Sequence, residues 1–258
     1  GRALYLSETQ KAKDAVTPLL PKWFGVLPKA PLVVKPVEAF REKSAGKAFY
    51  QRPSPDGSRP GTYYANLYKM ADMPLTEVEA LFYHEGVPGH HLQVALAREQ
   101  QTLPDYRRSF YTSAFGEGWG LYSEYLGYEM GFYQDHYSKF GRLTYEMWRA
   151  ARLVVDTGMH TMGWSRQQAI DFLASNTALS LHNVTTEIDR YISWPAQALS
   201  YKLGEITIKR LREEAEKALG DRFNIREFHD VVLGKGSVPL NVLEQQVRHY
   251  INTQQQVE

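Results

Sequence analysis

The pattern of hydrophobic and polar positions divides the chain into a short mixed segment and a long helical one. A polar stretch at residues 7–20 predicts a helix that Pro21 ends. Two β-rich stretches follow, at residues 32–37 and 61–68, and the proline inside the first one favours an edge strand. From residue 76 onward the pattern is that of helices almost to the end. We therefore predict a mainly α fold with a small β element near the N-terminal part.

The helical part begins with a capping signal. Thr76 and Glu79 have the spacing of a capping box, with Thr76 as the N-cap of the helix that carries His84. Further helices are predicted at residues 112–130, 135–159, 165–177, 182–193, 196–218, 225–233 and 239–253.

Composition limits the classes of protein and of metal site. The 30 basic and 29 acidic residues give a formal net charge of +1, without the basic excess of a nucleic-acid-binding protein. Because there is no cysteine, disulfides and thiolate metal sites are excluded, and any metal must be held by His, Asp or Glu. No apolar run approaches the roughly 20 residues that cross a bilayer, so no transmembrane segment is expected. The compartment and the oligomeric state stay open.

A motif near residue 84 is similar to the zinc-hydrolase signature H-E-x-x-H, in which two histidines bind the metal and the glutamate is the general base. Here His84 and Glu85 are followed by Pro88 at the position of the second histidine. Proline lacks an N–H and clashes with the preceding turn, so a kink or local unwinding is predicted there. Such a break can bring a later histidine back towards His84. We favour His90 as the second ligand, with His91 as the alternative. A competing interpretation is that these histidines only cap a broken helix.

A third protein ligand is required if the site is to keep one open position for catalysis. Glu117 is the best candidate, because it lies within a cluster of glycines. Gly116 and Gly120 lie one turn apart and would let their helix approach the helix of His84 closely. Glu124, seven residues after Glu117, is a candidate hydrogen-bond partner of a ligating histidine. The alternative for Glu124 is a charge on the helix surface.

Hydrolysis at such a zinc site also needs a hydrogen-bond donor for the oxyanion, and one candidate lies in the helix at residues 135–159 and just beyond. Arg152, Asp156 and His160 recur every four residues and form one stripe. Asp156 could orient His160 as the donor. The alternative is a surface ladder of ion pairs.

A second candidate lies between Arg190 and Lys202. Tyr201 could donate to the oxyanion, although a buried structural tyrosine is the plainer interpretation in a chain with 17 tyrosines. Arg190 and Lys202 could hold a substrate carboxylate, and Tyr191 is a further candidate for substrate binding.

Several of these motifs resemble the bacterial family DUF885, which is grouped with the gluzincin-like zinc peptidases. The resemblance spans roughly residues 60–205, and its motifs are His-Glu-Gly-Val-Pro-Gly-His-His-Leu-Gln at 84–93, Gly-Glu-Gly-Trp-Gly-Leu-Tyr-Ser-Glu at 116–124, residues 156–160, residues 163–165 and residues 191–204. It implies zinc as the cofactor, with ligands at His84, at Glu117 and at one of the two later histidines. Glu85 would be the general base.

The same resemblance has implications for the domain organisation of this chain. Family members are usually longer and carry an extra helical region first, so we expect residues 1–258 to be a single catalytic domain from the C-terminal part of a longer protein. A longer precursor is compatible with a periplasmic or lipid-anchored location. In gluzincin-like enzymes a strand before the zinc helix often pairs with the substrate, which gives that role to residues 62–68.

The hypothesis from the sequence is a zinc-dependent hydrolase of peptide bonds, with a peptide as its substrate. One alternative is a zinc amidase or esterase that acts on a non-peptide substrate. The other is a metal-binding or structural domain without catalysis.

Overall fold

The computed structural model describes residues 1–256 and confirms the mainly α prediction. The helices are α1 Arg2–Val16, α2 Leu20–Trp23, α3 Val78–Glu85, α4 His90–Glu99, α5 Asp105–Ser109, α6 Ser113–Glu129, α7 His136–Thr161, α8 Arg166–Asn176, α9 Leu181–Ser193, α10 Ser200–Leu219, α11 Ile225–Leu233 and α12 Leu240–Gln256. The strands are β1 Leu32–Pro36, β2 Ala48–Gln51 and β3 Gly61–Ala65. The helices from α6 onward agree with the predicted ranges to within a few residues at each end.

The three strands form one sheet in the order β1-β3-β2. β1 runs parallel to β3 and lies at an edge, as the proline in its sequence predicted, while β2 is antiparallel to β3 at the other edge. The sequence did not predict β2, which has only four residues and no clear alternation. β3 is central and every one of its residues is buried. Since both of its sides are paired, the predicted pairing of residues 62–68 with a substrate is wrong.

The N-terminal helix starts earlier than predicted. In α1, the residues Tyr5, Thr9, Ala12 and Val16 form a buried stripe that extends the helix back to Arg2. Pro21 does not end this helix, because it lies in the first turn of α2, where a proline without an N–H is tolerated.

The predicted capping box at Thr76 is absent. A 3₁₀ turn at Leu75–Glu77 precedes α3, and no side chain caps the first turn of either element. The side chain of Glu79 accepts instead from the hydroxyl of Tyr83 at 3.5 Å. A capping box does form at α8, where Ser165 and Gln168 exchange the two hydrogen bonds.

A four-residue break separates α3 from α4, as the Pro-Gly pair predicted. α3 ends at Glu85 and α4 begins at His90. The break is fixed from both sides: the indole of Trp119 donates to the carbonyl of Pro88 at 2.9 Å, and the N–H of His91 donates to the carbonyl of Gly86 at 3.0 Å. The chain folds back on itself here, so His90 lies beside the end of α3 and not two turns beyond it.

Helices α6 and α10 pack along each other more extensively than any other pair of helices in residues 1–256. Glycines make this approach possible, because a Cβ on Gly118 would overlap the backbone of Gly204, and a Cβ on Gly204 would overlap the carbonyl of Ala114. α6 also packs on α3. Together these contacts place the glutamates of α6 between α3 and α10. No helix in this part of the chain has the length and apolar character of a membrane span.

Candidate metal centre

Three side chains that can bind a metal meet where α3, α4 and α6 converge. They are His84 at the end of α3, His90 at the start of α4 and Glu117 in α6, and one ligand atom from each lies within 4.8 Å of the others. The Nε2 atoms of His84 and His90 lie 3.4 Å and 3.3 Å from the same carboxylate oxygen of Glu117. The two imidazole rings are almost perpendicular, at 85°, with centroids 4.7 Å apart. Of the two later histidines, the structure therefore brings His90 to this group.

Glu124 holds His84 from the other side of its ring. Its Oε1 atom accepts from Nδ1 of His84 at 2.8 Å, and Arg149 lies 3.2 Å from the same oxygen. Both His84 and Glu124 are buried, at 2% and 1% exposure. Because Nδ1–H is held by Glu124, His84 can present the lone pair of Nε2 to a metal ion that displaces the proton from that nitrogen. This is the contact that the spacing of Glu124 suggested.

The charges of this group favour a cation. Burial lowers the pKa of His84, but hydrogen bonds with Glu117 and Glu124 outweigh this effect and raise the pKa to about 9. Burial raises the pKa of Glu117, but hydrogen bonds from His84 and His90 hold it well below its usual range. Two imidazoles and a carboxylate are donors that zinc prefers, and three of them leave one position for another ligand. These residues could therefore hold a zinc ion.

His91 lies outside the metal group. Its Nε2 donates to the carbonyl of Ala30 at 3.0 Å, and its Nδ1 accepts from the hydroxyl of Tyr50 at 3.0 Å. Burial lowers the pKa of His91 to about 4, so the ring is neutral. Consecutive residues of a helix point about 100° apart, so when His90 faces Glu117 its neighbour faces the sheet.

The two glycines next to Glu117 serve different neighbours. A Cβ on Gly120 would lie 2.6 Å from Cε1 of His84, so this glycine does permit the close approach to the histidine of α3. Gly116 instead accommodates the ring of Tyr111, whose hydroxyl donates to Glu117 at 3.4 Å. Tyr111 precedes α6 in a loop, and nothing in the sequence distinguished it from the other tyrosines.

The metal group opens into a cleft of about 920 Å³ that also contains Glu85, Arg190 and Tyr201. Glu85 is the last residue of α3 and is 8% exposed. The ring of Tyr201 lies nearly parallel to that of His84, with centroids 6.0 Å apart. Its hydroxyl accepts hydrogen bonds from Arg190 at 3.3 Å and from Gln197 at 3.2 Å. Glu85, Tyr201 and Arg190, all named as candidates from the sequence, therefore lie in one cleft with the metal group.

His160, predicted as a candidate oxyanion donor, does not line this cleft. It is exposed, and its Nε2 donates to the carbonyl of Tyr191 at 3.0 Å. Asp156 does not orient it, because that carboxylate accepts from the N–H of Ala196 at 3.1 Å. The stripe on α7 does reach the cleft at Arg152, but it leaves the cleft before His160.

Tyr191 and Lys202, the predicted substrate-binding candidates besides Arg190, also lie outside the cleft lining. The hydroxyl of Tyr191 is buried and accepts from Trp148 at 3.0 Å and from Arg152 at 2.6 Å, so Tyr191 positions Arg152. The ammonium of Lys202 lies 2.9 Å from Glu205 and 3.1 Å from Glu146. These two glutamates hold the ammonium of Lys202 away from the cleft, although Tyr201 beside it on α10 lines the cleft.

Two buried arginines of α7 belong to the cleft: Arg149 was not predicted, whereas Arg152 was named only as the first residue of the stripe on this helix. Arg149 and Arg152 line the cleft at 4% and 2% exposure. The guanidinium of Arg152 lies 4.3 Å from the ring centroid of Tyr201 and 2.9 Å from Glu187. Their sequence signal is visible afterwards: both occupy positions of the apolar stripe of α7, where a charged residue needs a specific partner.

The contact between Glu124 and His84 gives a first prediction. Glu124→Gln is expected to weaken zinc binding by about 10- to 100-fold, because partners of this kind fix the ring and raise its basicity. Competition with a chromophoric chelator measures the affinity. Glu129→Gln, on the same helix but outside the cleft lining, is the matched control. An unchanged affinity in Glu124→Gln would show that this contact does not support the metal group.

Comparison with other proteins agrees with this architecture. The family model described as "Bacterial protein of unknown function (DUF885)" matches residues 1–247. A crystal structure described as a "putative lipoprotein" from Colwellia psychrerythraea is 43% identical, with a TM-score of 0.96, over 98% of this chain and 43% of that one. A "putative lipoprotein of unknown function" from Shewanella oneidensis is 22% identical, with a TM-score of 0.77, over 93% of this chain and 45% of that one.

The chain thus spans less than half the length of either solved structure. None of the curated proteins matches it. The Shewanella structure shares the fold, and the family model covers almost the whole chain. The chain therefore belongs to the bacterial family of unknown function DUF885.

Proposed function

We propose that this protein is a zinc-dependent hydrolase that acts on peptide bonds. The observation that carries the proposal is the convergence of His84, His90 and Glu117 in one cleft with Glu85. A zinc ion held by these three residues would polarise the scissile carbonyl and lower the pKa of a water molecule. The family grouping with gluzincin-like peptidases, inferred from the motifs, points the same way.

Glu85 has the position required of a general base. It follows a residue of the metal group directly in the chain, and it lines the cleft. Its carboxylate can accept a proton from the attacking water and deliver it to the leaving amine.

Tyr201 would stabilise the oxyanion, and its hydrogen bonds support this role. A phenol has one proton and two lone pairs, and here Arg190 and Gln197 donate to the oxygen. The proton of Tyr201 is then free to point into the cleft, where it can donate to the developing negative charge. Arg190, which also lines the cleft, keeps this hydroxyl in place.

The shape of the cleft favours a peptide over a small amide or ester. Residues 47–52, which include β2, line one wall, and within residues 1–256 this edge strand pairs only with β3. An extended peptide could add to its free edge, which is a common mode of peptide recognition. We therefore assign the pairing with an extended substrate to β2, in place of residues 62–68. A non-catalytic metal site would need a fourth protein ligand, and only three residues form the metal group in this part of the chain.

The location is also a proposal. Because the protein from Colwellia psychrerythraea that is 43% identical to this chain is described as a "putative lipoprotein", we propose a lipid-anchored location for this protein too.

The zinc content of the purified protein tests the first requirement of the proposal. Protein purified without chelators is expected to contain about one zinc ion per chain by elemental analysis, because the donors suit zinc and leave one open position. Hydrolysis of a peptide library, set against small amides and esters, then identifies the substrate class. Protein without a transition metal that also takes none up from added zinc would contradict the proposal.

A further inference from the structure

One arm of the cleft runs between α4 and β2 and ends in arginines without acidic partners. The residues of α4 that line it form one stripe: His90, Gln93, Val94, Ala97 and Arg98. The opposite wall is formed by residues 47–52. The arm therefore begins at the metal group and ends at Arg98 and Arg52.

The positive charge at this end is not neutralised. Within residues 1–256, neither Arg52 nor Arg98 has an ion pair or a hydrogen bond from its guanidinium to a carboxylate, and Nε of Arg98 is buried without any hydrogen-bond partner. Arg108, which also lines the arm, pairs only with Asp105, whose side chain is 93% exposed. Glu99 is turned away, because its carboxylate accepts from the N–H groups of Lys29 and Ala30. Burial lowers the pKa of Arg98, and the nearby positive charges of Arg52 and Arg108 lower it further.

The middle of the arm offers a second unsatisfied group. Gln93 is 3% exposed and lines the cleft, and its Oε1 has no hydrogen-bond partner. A buried amide oxygen without a donor carries an energetic cost that a bound N–H group would remove. Together with the free edge of β2, this oxygen suits the main chain of an extended peptide.

We propose that Arg52, Arg98 and Arg108 form a subsite for a carboxylate of the peptide substrate. This inference rests on the proposed peptidase function and adds a substrate class to it: peptides with an acidic group at a fixed distance from the scissile bond. Arg98 follows His90 by eight residues, which is about 12 Å along a helix. An extended chain covers that distance in about four residues. The acidic group therefore lies about four residues from the cleaved bond.

The test compares matched peptides that carry Glu or Gln about four residues from the intended cleavage site, on either side of it. Binding is measured by fluorescence anisotropy with the zinc-loaded Glu85→Gln protein, and hydrolysis is measured with the unsubstituted protein. The Glu peptide is expected to bind about tenfold more tightly than the Gln peptide, because its carboxylate forms charged hydrogen bonds with the arginines and the neutral amide does not. Both Arg98→Gln and Arg52→Gln should abolish that difference, whereas Arg98→Lys should retain part of it. Arg226→Gln, which removes an equal charge from an exposed position on α11, should change nothing.

The outcomes separate this inference from the proposed function. Preferential binding of the Glu peptide without any hydrolysis would keep the subsite and contradict the peptidase activity. Equal binding of both peptides, or a preference that survives Arg98→Gln and Arg52→Gln, would overturn the subsite whether or not peptides are cleaved. Peptides with free and amidated C-termini distinguish a side-chain carboxylate from a terminal one as the group that binds.

Discussion

Replacement of Glu85 by glutamine is expected to leave zinc in place and to lower peptide turnover by about 10²-fold or more. The amide has nearly the size and shape of the carboxylate but cannot accept the proton of the attacking water. Glu85 lies outside the group of side chains that could hold the ion, so its loss removes no ligand. The zinc content and kcat of the variant should be measured on the same preparation.

Glu79→Gln is the matched control, since Glu79 lies on the same helix but does not line the cleft. It should retain both zinc and activity. If Glu85→Gln lost the metal, Glu85 would be a ligand and the assignment of the base would be wrong. If Glu85→Gln kept full activity, another residue would have to be the general base.

The second large effect is expected at the pair of histidines that begins α4. His90→Ala should weaken zinc binding by more than about 100-fold, because only His84 and Glu117 would remain, and even the hydrogen-bond partners of ligands are worth about 10- to 100-fold. His91→Ala should keep the zinc. It should instead lower the free energy of unfolding by about 1–3 kcal/mol, because the carbonyl of Ala30 and the hydroxyl of Tyr50 lose their partner.

The two adjacent variants control for each other. Chelator competition gives the zinc affinity, and denaturant unfolding of the metal-free proteins gives the stability. A loss of zinc binding in His91→Ala with normal binding in His90→Ala would reverse the assignment of the second ligand. Equal losses in both would indicate that the start of α4 had unfolded, which the denaturant curves would reveal.

Much of the fold could be predicted because helical periodicity is a local property of the chain. The helices from α6 to α12 were placed to within a few residues, apart from a 3₁₀ turn before α10. The strand β2 could not be predicted, because its four residues have little local preference and become a strand only by pairing with β3. The capping box predicted at Thr76 and Glu79 fails because a 3₁₀ turn at Leu75–Glu77 precedes α3, so that Glu77 and not Thr76 is the N-cap of the helix.

The candidate site was predictable where its chemistry is encoded in neighbouring residues. The pair His84 and Glu85, with a proline that breaks the helix, led to His90. Spacing also suggested Glu124. The place of Arg149 in the cleft and that of His160 outside it could not be predicted in this way, because both depend on which side of α7 faces the cleft at each turn. A helical stripe in the sequence does not tell where along its length the helix leaves a site.

The glycine contact between α6 and α10 has a consequence for how far the rest of the protein can vary. Glu117 and Tyr201 stand on these two helices, and their separation is set by backbone resting against backbone at Gly118 and Gly204. Elsewhere in the core, a substitution that changes the size of a side chain can be accommodated by small shifts of its neighbours. At a glycine that already rests against the backbone of another helix, no smaller residue exists, so the helices cannot come closer. The distance between the carboxylate of Glu117 and the phenol of Tyr201 therefore changes little when residues of the surrounding core are substituted. The same arrangement makes positions 118 and 204 intolerant of even one added methyl group.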